Sequence, residues 1–159
     1  MAGRKKSPDA PLDASGMTFG IVAAEFNAEI TEALLDGARK CFAEHGVGDD
    51  AIGVAWVPGA FELALGAQML IESGSYDGVV ALGCVVRGGT PHFEYVCQAA
   101  TYGLQRVALD TGVPVAFGVL TTDDFDQART RAGGAEGNKG YDAAQSVIQM
   151  ALLRRDFSG

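Results

Sequence analysis

The sequence lacks the features that mark several large classes of protein. Its three cysteines, Cys41, Cys84 and Cys97, lie far apart and in no metal-ligand spacing. They therefore indicate small core residues in a reducing compartment rather than a zinc site or a disulfide framework. No apolar run reaches the length of a membrane span, and the amino-terminal residues show no hydrophobic segment of a signal peptide. We expect a cytoplasmic protein that makes no membrane contact.

Basic residues are also scarce. The chain has 12 Lys and Arg against 20 Asp and Glu, a formal net charge of −8. Nothing in it resembles the basic stripe of a nucleic-acid-binding protein, so nucleic acid is not an expected partner. The acidic balance also repels small anions, and an anionic ligand would need a local cationic site.

The common nucleotide-binding motifs are missing. The sequence has no Gly-x-x-x-x-Gly-Lys-Ser/Thr and no Gly-x-Gly-x-x-Gly after a strand. A flavin carrier of the flavodoxin type would need a hydroxyl-rich phosphate loop after the first strand. That loop, residues 23–27, contains no hydroxyl, which disfavours this second candidate function.

What is present is a regular alternation of apolar runs and helical stripes. This alternation predicts an α/β fold with a four-stranded parallel sheet and helices on both faces. The predicted strands are 18–24, 51–57, 77–83 and 115–120, and the predicted helices follow each of them, with a last helix near the carboxyl end. We expect one domain over residues 17–159, preceded by a flexible tail over residues 1–16.

The most informative stretch lies at the end of the third strand, where ligands bind in parallel sheets. Gly88 and Gly89 allow the backbone to approach a ligand, and Thr90 and Pro91 suit the first positions of a helix. The positive end of that helix would favour an anion beside His92. The same residues also fit a simple tight turn with a structural histidine.

The other strand ends offer groups that suit a flat polar heterocycle and an anion. The first loop has Phe26 and Asn27, the second has residues 59–62, and the fourth has residues 117–122. Each has a structural alternative. Phe26 and Phe61 could belong to the core, Glu62 could only offset a helix dipole, and Arg131 could cap its own short helix.

Taken together, these segments resemble the 6,7-dimethyl-8-ribityllumazine synthase family of riboflavin biosynthesis. The matching pieces occur in the family's order over nearly all of the chain from residue 18, and they are 26–27, 56–62, 83–96, 112–118, 131–133 and 137–140. The resemblance implies a flavodoxin-like three-layer sandwich. It also implies condensation of 5-amino-6-(D-ribitylamino)uracil with 3,4-dihydroxy-2-butanone 4-phosphate, with no metal or organic cofactor.

The resemblance also implies roles for individual residues, in an active site shared between adjacent subunits. His92 would transfer protons, and Phe26 would stack on the pyrimidine. The pyrimidine and ribityl pocket would further include Asn27, Ala60, Phe61, Glu62, Cys84, Val85 and Val86. Gly89 and Thr90 would bind the phosphate. The neighbouring subunit would supply Phe117, which closes the pyrimidine site, and Arg131, which closes the phosphate site. Lys139 matches a lysine at the edge of the site.

The family forms pentamers, and some members assemble twelve of these into a hollow icosahedral shell. Surplus apolar residues on the second and third predicted helices fit such a ring, and the short turn over residues 133–140 resembles that of shell-forming members. The departures are Glu25, where a basic residue is common, and Cys84, at a variable position. A catalytically weak lumazine-binding, flavin-binding or shell-forming relative is the alternative.

Overall fold

The computed structural model describes residues 12–158, within which four parallel strands form one sheet in the order β2-β1-β3-β4. The strands are β1 (Phe19–Ala24), β2 (Ile52–Val57), β3 (Gly78–Val86) and β4 (Val115–Thr122). The helices are α1 (Ala28–Glu44), α2 (Leu63–Ser73), α3 (His92–Thr111), α4 (Phe125–Arg131) and α5 (Lys139–Ser158). The predicted flavodoxin-like α/β sandwich is confirmed.

The sheet is covered on both faces, which is why β1 and β3 are almost continuously apolar and buried. One face packs against α1 and α5, with Phe19, Leu34 and Ile148 in that part of the core. The other packs against α2 and α3, with Leu63 and Leu104 among the buried side chains. β2 and β4 lie at the two edges. Within residues 12–158, β4 therefore pairs with β3 on one side and with no strand on its outer side.

The helical stripes predicted for α1 and α5 are buried, as expected. The residues of these stripes are Ile30, Leu34, Leu35, Ala38, Cys41 and Phe42 in α1 and Ala144, Val147, Ile148, Ala151 and Leu152 in α5. By contrast, large apolar side chains remain exposed along α2 and α3. They are Phe61, Leu65 and Met69 at and along α2, and Tyr95, Tyr102 and Leu109 along α3.

Three local predictions differ from the structure. β3 continues beyond Gly83 to Val86, because the added residues pair with Leu120–Thr122 of β4, which is extended to match. Thr90 is not the helix cap: α3 begins at His92, is preceded by Pro91 and has no side-chain cap. After α4, a small antiparallel hairpin of β5 (Ala132–Gly134) and β6 (Gly137–Asn138) replaces the predicted open turn.

The predicted tail is too long at its carboxyl end. Ala14 is fully buried in the core, and its N–H donates to the carbonyl of His45 at 2.9 Å. The domain therefore includes residues 12–16, while the rest of the predicted tail lies outside the described residues. No helix between residues 12 and 158 is both long enough and apolar enough to cross a membrane.

Candidate active site

A pocket of about 560 Å³ opens at the carboxyl ends of β1, β2 and β3. The structure brings together here most of the residues predicted for one half of the site. They are Phe26, Ala60, Phe61, Glu62, Cys84, Val85, Val86, Thr90 and His92. We call this cavity the first pocket. It is the place where a parallel sheet presents a ligand to several loops at once.

Phe26 is held at the mouth of the first pocket by its backbone. The N–H groups of Glu25 and Phe26 donate to the carbonyls of Val57 and Pro58, at 2.8 and 3.0 Å. These bonds continue the pairing of β1 with β2 past the strand ends. The Phe26 side chain is 71% exposed and Phe61 is 64% exposed. Neither is a core residue, so each ring has exposed surface that a flat ligand could contact.

Asn27 adopts a left-handed conformation, with φ at 61°. Its side-chain amide donates to the carbonyl of Cys84 at 2.9 Å, and its own carbonyl accepts from the first turn of α1. It therefore ties the loop that carries Phe26 to the end of β3. Its side chain lies at the edge of the first pocket and is not among the residues that line it.

The loop between β3 and α3 is open where an anion is expected. Gly88, Gly89 and Thr90 are exposed, and α3 begins directly after Pro91 with no side chain capping its first turn. Uncapped amides at the positive end of a helix favour anions. His92 is the first residue of α3 and lines the first pocket together with Gly88 and Thr90, whereas Gly89 is not among the lining residues.

A second pocket, of about 500 Å³, lies between β4, α4 and α5. It contains the remaining predicted side chains, Phe117, Arg131 and Lys139, together with the carboxylates of Glu136 and Asp142. Phe117 is 38% exposed on the edge strand. Among the described residues, no side chain lines both pockets, so a single chain does not bring His92 and Arg131 together.

Arg131 makes its recorded contacts within its own helix. Its Nη1 donates to the carbonyl of Gln127 at 3.0 Å and to the hydroxyl of Thr130 at 3.2 Å. Arg131 therefore does contact a carbonyl of its own helix, as the structural alternative predicted. Both bonds use the same nitrogen, and Arg131 also lines the second pocket.

The comparison with known proteins decides the family. The family model of 6,7-dimethyl-8-ribityllumazine synthase matches residues 16–155. The chain belongs to this family. It is also 48% identical over 152 residues to a 6,7-dimethyl-8-ribityllumazine synthase of Lactiplantibacillus plantarum, covering 92% of this chain and 96% of the relative. The resemblance drawn from the sequence is confirmed, and with it an enzyme of the transferase class in riboflavin biosynthesis.

Hydrogen bonds of the Asn138 side chain hold the Gly-Asn-Lys-Gly segment (residues 137–140) in place. The Asn138 side-chain N–H donates to the carbonyl of Ala33 in α1 at 3.0 Å, and its Oδ1 accepts from the N–H of Gly140 and Tyr141 at 2.8 and 3.1 Å. A Cβ on Gly140 would lie 2.0 Å from the carbonyl oxygen of Leu34. The segment therefore docks the hairpin on α1 and presents Lys139 to the second pocket.

Cys84 lines the first pocket as a neutral thiol. Burial raises the pKa of the Cys84 thiol to about 11, so the thiol stays protonated near neutral pH and is a weak nucleophile. Burial raises the pKa of Cys41 to about 12, again mainly through loss of solvation. Cys41 and Cys84 are buried in the core as predicted, whereas Cys97 is only partly buried and packs against it.

The sequence reasoning missed several residues that line the two pockets. In the first these are Pro58, Phe93 and Val96, and in the second they include Gln127, Glu136 and Asp142. Most of those in the first pocket stand next to a predicted site residue, so the neighbourhood of the motif was the available signal. The acidic residues of the second pocket gave no such signal, because charged side chains on helices are usually solvent-facing.

Proposed function

We propose that this chain condenses 5-amino-6-(D-ribitylamino)uracil with 3,4-dihydroxy-2-butanone 4-phosphate to 6,7-dimethyl-8-ribityllumazine, phosphate and water. The observation that carries this is the composition of the first pocket. One cavity combines an exposed aromatic at its mouth, an open glycine loop at a helix amino terminus, and a histidine. These groups suit a planar pyrimidine, a phosphate and a proton transfer, and the family membership supports them.

Within this proposal Phe26 stacks on the pyrimidine, with Asn27 beside it. The walls of the pyrimidine and ribityl site are Ala60, Phe61, Glu62, Cys84, Val85 and Val86. Gly89 and Thr90 bind the phosphate group. The exposed backbone of this loop and the positive end of α3 favour the dianion within an acidic chain.

The chemistry consists of proton transfers around a carbon–nitrogen condensation. An amine attacks the ketone, the carbinolamine loses water, phosphate departs, and the second nitrogen closes the ring onto the remaining carbonyl with loss of a second water. His92 is the proton-transfer residue, a role that commonly contributes about 10²–10⁴-fold. Holding two substrates together supplies much of the remaining acceleration. We propose that the reaction uses no metal or organic cofactor and takes place in the cytoplasm.

A second copy of the chain completes the site. Phe117 closes the pyrimidine site, Arg131 binds the phosphate and Lys139 lies at the edge, all from the adjacent subunit. Two features support this arrangement. The second pocket opens beside the edge strand β4, and apolar side chains stay exposed along α2 and α3. A repeated contact between two different surfaces forms a ring when its rotation closes. We propose that this ring is a pentamer.

We further propose that pentamers assemble into an icosahedral shell. The short hairpin after α4 is docked on α1 through Asn138, so it forms a compact turn like that of shell-forming relatives. Sedimentation at neutral pH tests the assembly. A species far larger than five chains supports the shell, a five-chain species rejects it, and a monomer rejects the shared site as well.

The reaction is tested by mixing the two substrates with the purified protein and following lumazine absorbance together with phosphate release. Both products should appear in equal amounts and in proportion to the enzyme. Binding of lumazine or flavin without turnover would instead support the alternative, a catalytically weak binding or shell-forming relative. That alternative is disfavoured by the presence of both His92 and Arg131.

A further inference from the structure

The tip of the loop between β3 and α3 is not held by packing. Among the described residues, no atom beyond the immediate chain neighbours lies within 4 Å of a Cβ placed on Gly88 or Gly89. Thr90 is exposed as well. The positions of the loop amides and of His92 are therefore set from the two ends of the loop.

Arg87 stands at the first end of this loop and reaches the second. Its Nη1 contacts the carboxylate of Glu94 in the first turn of α3. Its Cζ also lies 4.4 Å from the centre of the Phe93 ring. A single side chain thus spans the loop, from the residue after β3 to the residues that directly follow His92.

The same side chain is tied to the neighbouring strand. Arg87 Nε donates to Oδ1 of Asp123 at 2.9 Å, and the backbone N–H of Arg87 donates to the carbonyl of Thr122 at 2.8 Å. Asp123 is the first residue after β4. One planar guanidinium therefore joins the ends of β3 and β4 to the start of α3.

Arg87 is not placed to serve the substrate phosphate directly. Its positive charge faces the two negative charges of Glu94 and Asp123, so the cluster offers no net attraction to an anion. Its side chain also lies outside the lining of the first pocket, which Phe93 and His92 do reach.

The cluster adds little stability. The side chains of Arg87 and Glu94 are 46% and 47% exposed, and Asp123 is 68% exposed. Exposed ion pairs contribute little to the free energy of unfolding. A planar fork that engages two carboxylates nevertheless fixes direction more strictly than a point charge does. The effect we expect from Arg87 is therefore on geometry.

We propose that Arg87 is a positioning residue, which holds both ends of loop 88–90 so that the loop amides and His92 keep a fixed relation to each other. This rests on the proposed function of the first pocket. A displacement of about 1 Å in a catalytic group costs up to roughly 10²-fold in rate. A slight relaxation of this loop is thus large enough to measure.

The test replaces Arg87 with lysine, which removes the planar guanidinium and keeps the positive charge. Arg87→Lys should lower kcat roughly tenfold and raise the KM of the phosphate-bearing substrate, with the KM of the pyrimidine within about twofold of the original. The matched control is Arg106→Lys in α3, the helix that carries Glu94, where Arg106 pairs with Asp110 at 3.2 Å on an exposed surface. That variant should leave all three constants unchanged.

A double-mutant cycle tests the route of the effect. If Arg87 acts through Glu94, then Glu94→Gln should add little further loss in an Arg87→Met background. Fully additive losses would overturn this route. The proposal would be overturned if kcat and both KM values of Arg87→Lys equalled those of the unchanged protein. It would also be overturned if both KM values rose together while Tm fell, because that pattern indicates a general loss of stability.

Inorganic phosphate provides a readout that does not depend on turnover. Its dissociation constant should rise severalfold in Arg87→Lys and stay unchanged in Arg106→Lys. An unchanged constant in Arg87→Lys contradicts the positioning role. If the unaltered protein binds phosphate in this way but makes no lumazine, the proposed reaction fails while the assignment of Arg87 stands.

Discussion

The two pockets differ in what chemistry each can perform. The first is shaped by three strand ends and contains exposed aromatics and His92, but no lysine or arginine among its described lining residues. The second contains Arg131 and Lys139 with two carboxylates, but no histidine among its described lining residues. Each pocket has half of what a phosphate-releasing condensation needs.

This division follows from the fold and from the charge of the chain. Because β4 is an edge strand, its outer side and the pocket beside it are free to face another copy. With a net charge of −8, the protein needs a local cation for a phosphate substrate, and the first pocket offers only helix-end amides.

Proton transfer is proposed for the first pocket, so His92→Ala should abolish most of that proton transfer. We expect the rate to fall at least about tenfold, toward the 10²–10⁴-fold range of such groups. The fold should survive because His92 is exposed. The matched control is His45→Ala, which removes the other histidine, at the end of α1. Steady-state rates equal in both variants would remove His92 from the mechanism.

The cationic contact to the phosphate is assigned to Arg131 in the second pocket, whereas the loop amides of the first pocket supply the neutral donors. Arg131→Lys keeps the charge but loses the planar fork, so the KM of the butanone phosphate should rise about tenfold, as for one lost charge-assisted hydrogen bond. The neighbouring Arg129→Lys is the control, since Arg129 contacts Glu29 and Asp126 outside the pocket. A rise confined to the KM of the pyrimidine would mean that Arg131 serves the other substrate.

Stacking at the mouth of the first pocket should have the smallest effect. Phe26→Ala should weaken pyrimidine binding by about 0.5–1.5 kcal/mol beyond the lost contact area, the range for aromatic pairs. Because Phe26 is largely exposed, Tm should change little, as in the control Phe157→Ala, another exposed phenylalanine. A large fall in Tm for Phe26→Ala alone would mean that the ring stabilises the fold.

Much of the fold could be predicted because it depends on local periodicity. The stripes of α1 and α5 are each set by one face of one helix, and the sequence shows that face directly. The end of β3 could not be predicted in this way. Its last three residues are strand only because Leu120–Thr122 lie beside them, and that pairing joins residues distant in the chain.

The sequence could predict which strand-end loops meet in the first pocket, but spacing alone could not predict that the candidate residues divide between two pockets. Loops at strand ends identified Phe26, Glu62 and His92 as neighbours, and the family resemblance placed Arg131 on an adjacent copy. The contacts of Arg87 with Glu94 and Asp123 could not be predicted from the sequence. Asp123 lies 36 residues from Arg87, and only the parallel arrangement of β3 and β4 brings the two strand ends together.

The most direct test of a site shared between two copies is complementation between inactive variants. His92→Ala and Arg131→Ala subunits are each assembled alone and then assembled together from a mixture of equal parts. In a closed ring, random mixing should restore roughly a quarter of the junctions, those where an intact first pocket meets an intact second pocket. Activity of the mixture should therefore rise from near zero to roughly a quarter of the original rate. A mixture that is only as active as the average of the two variants would contradict a shared site.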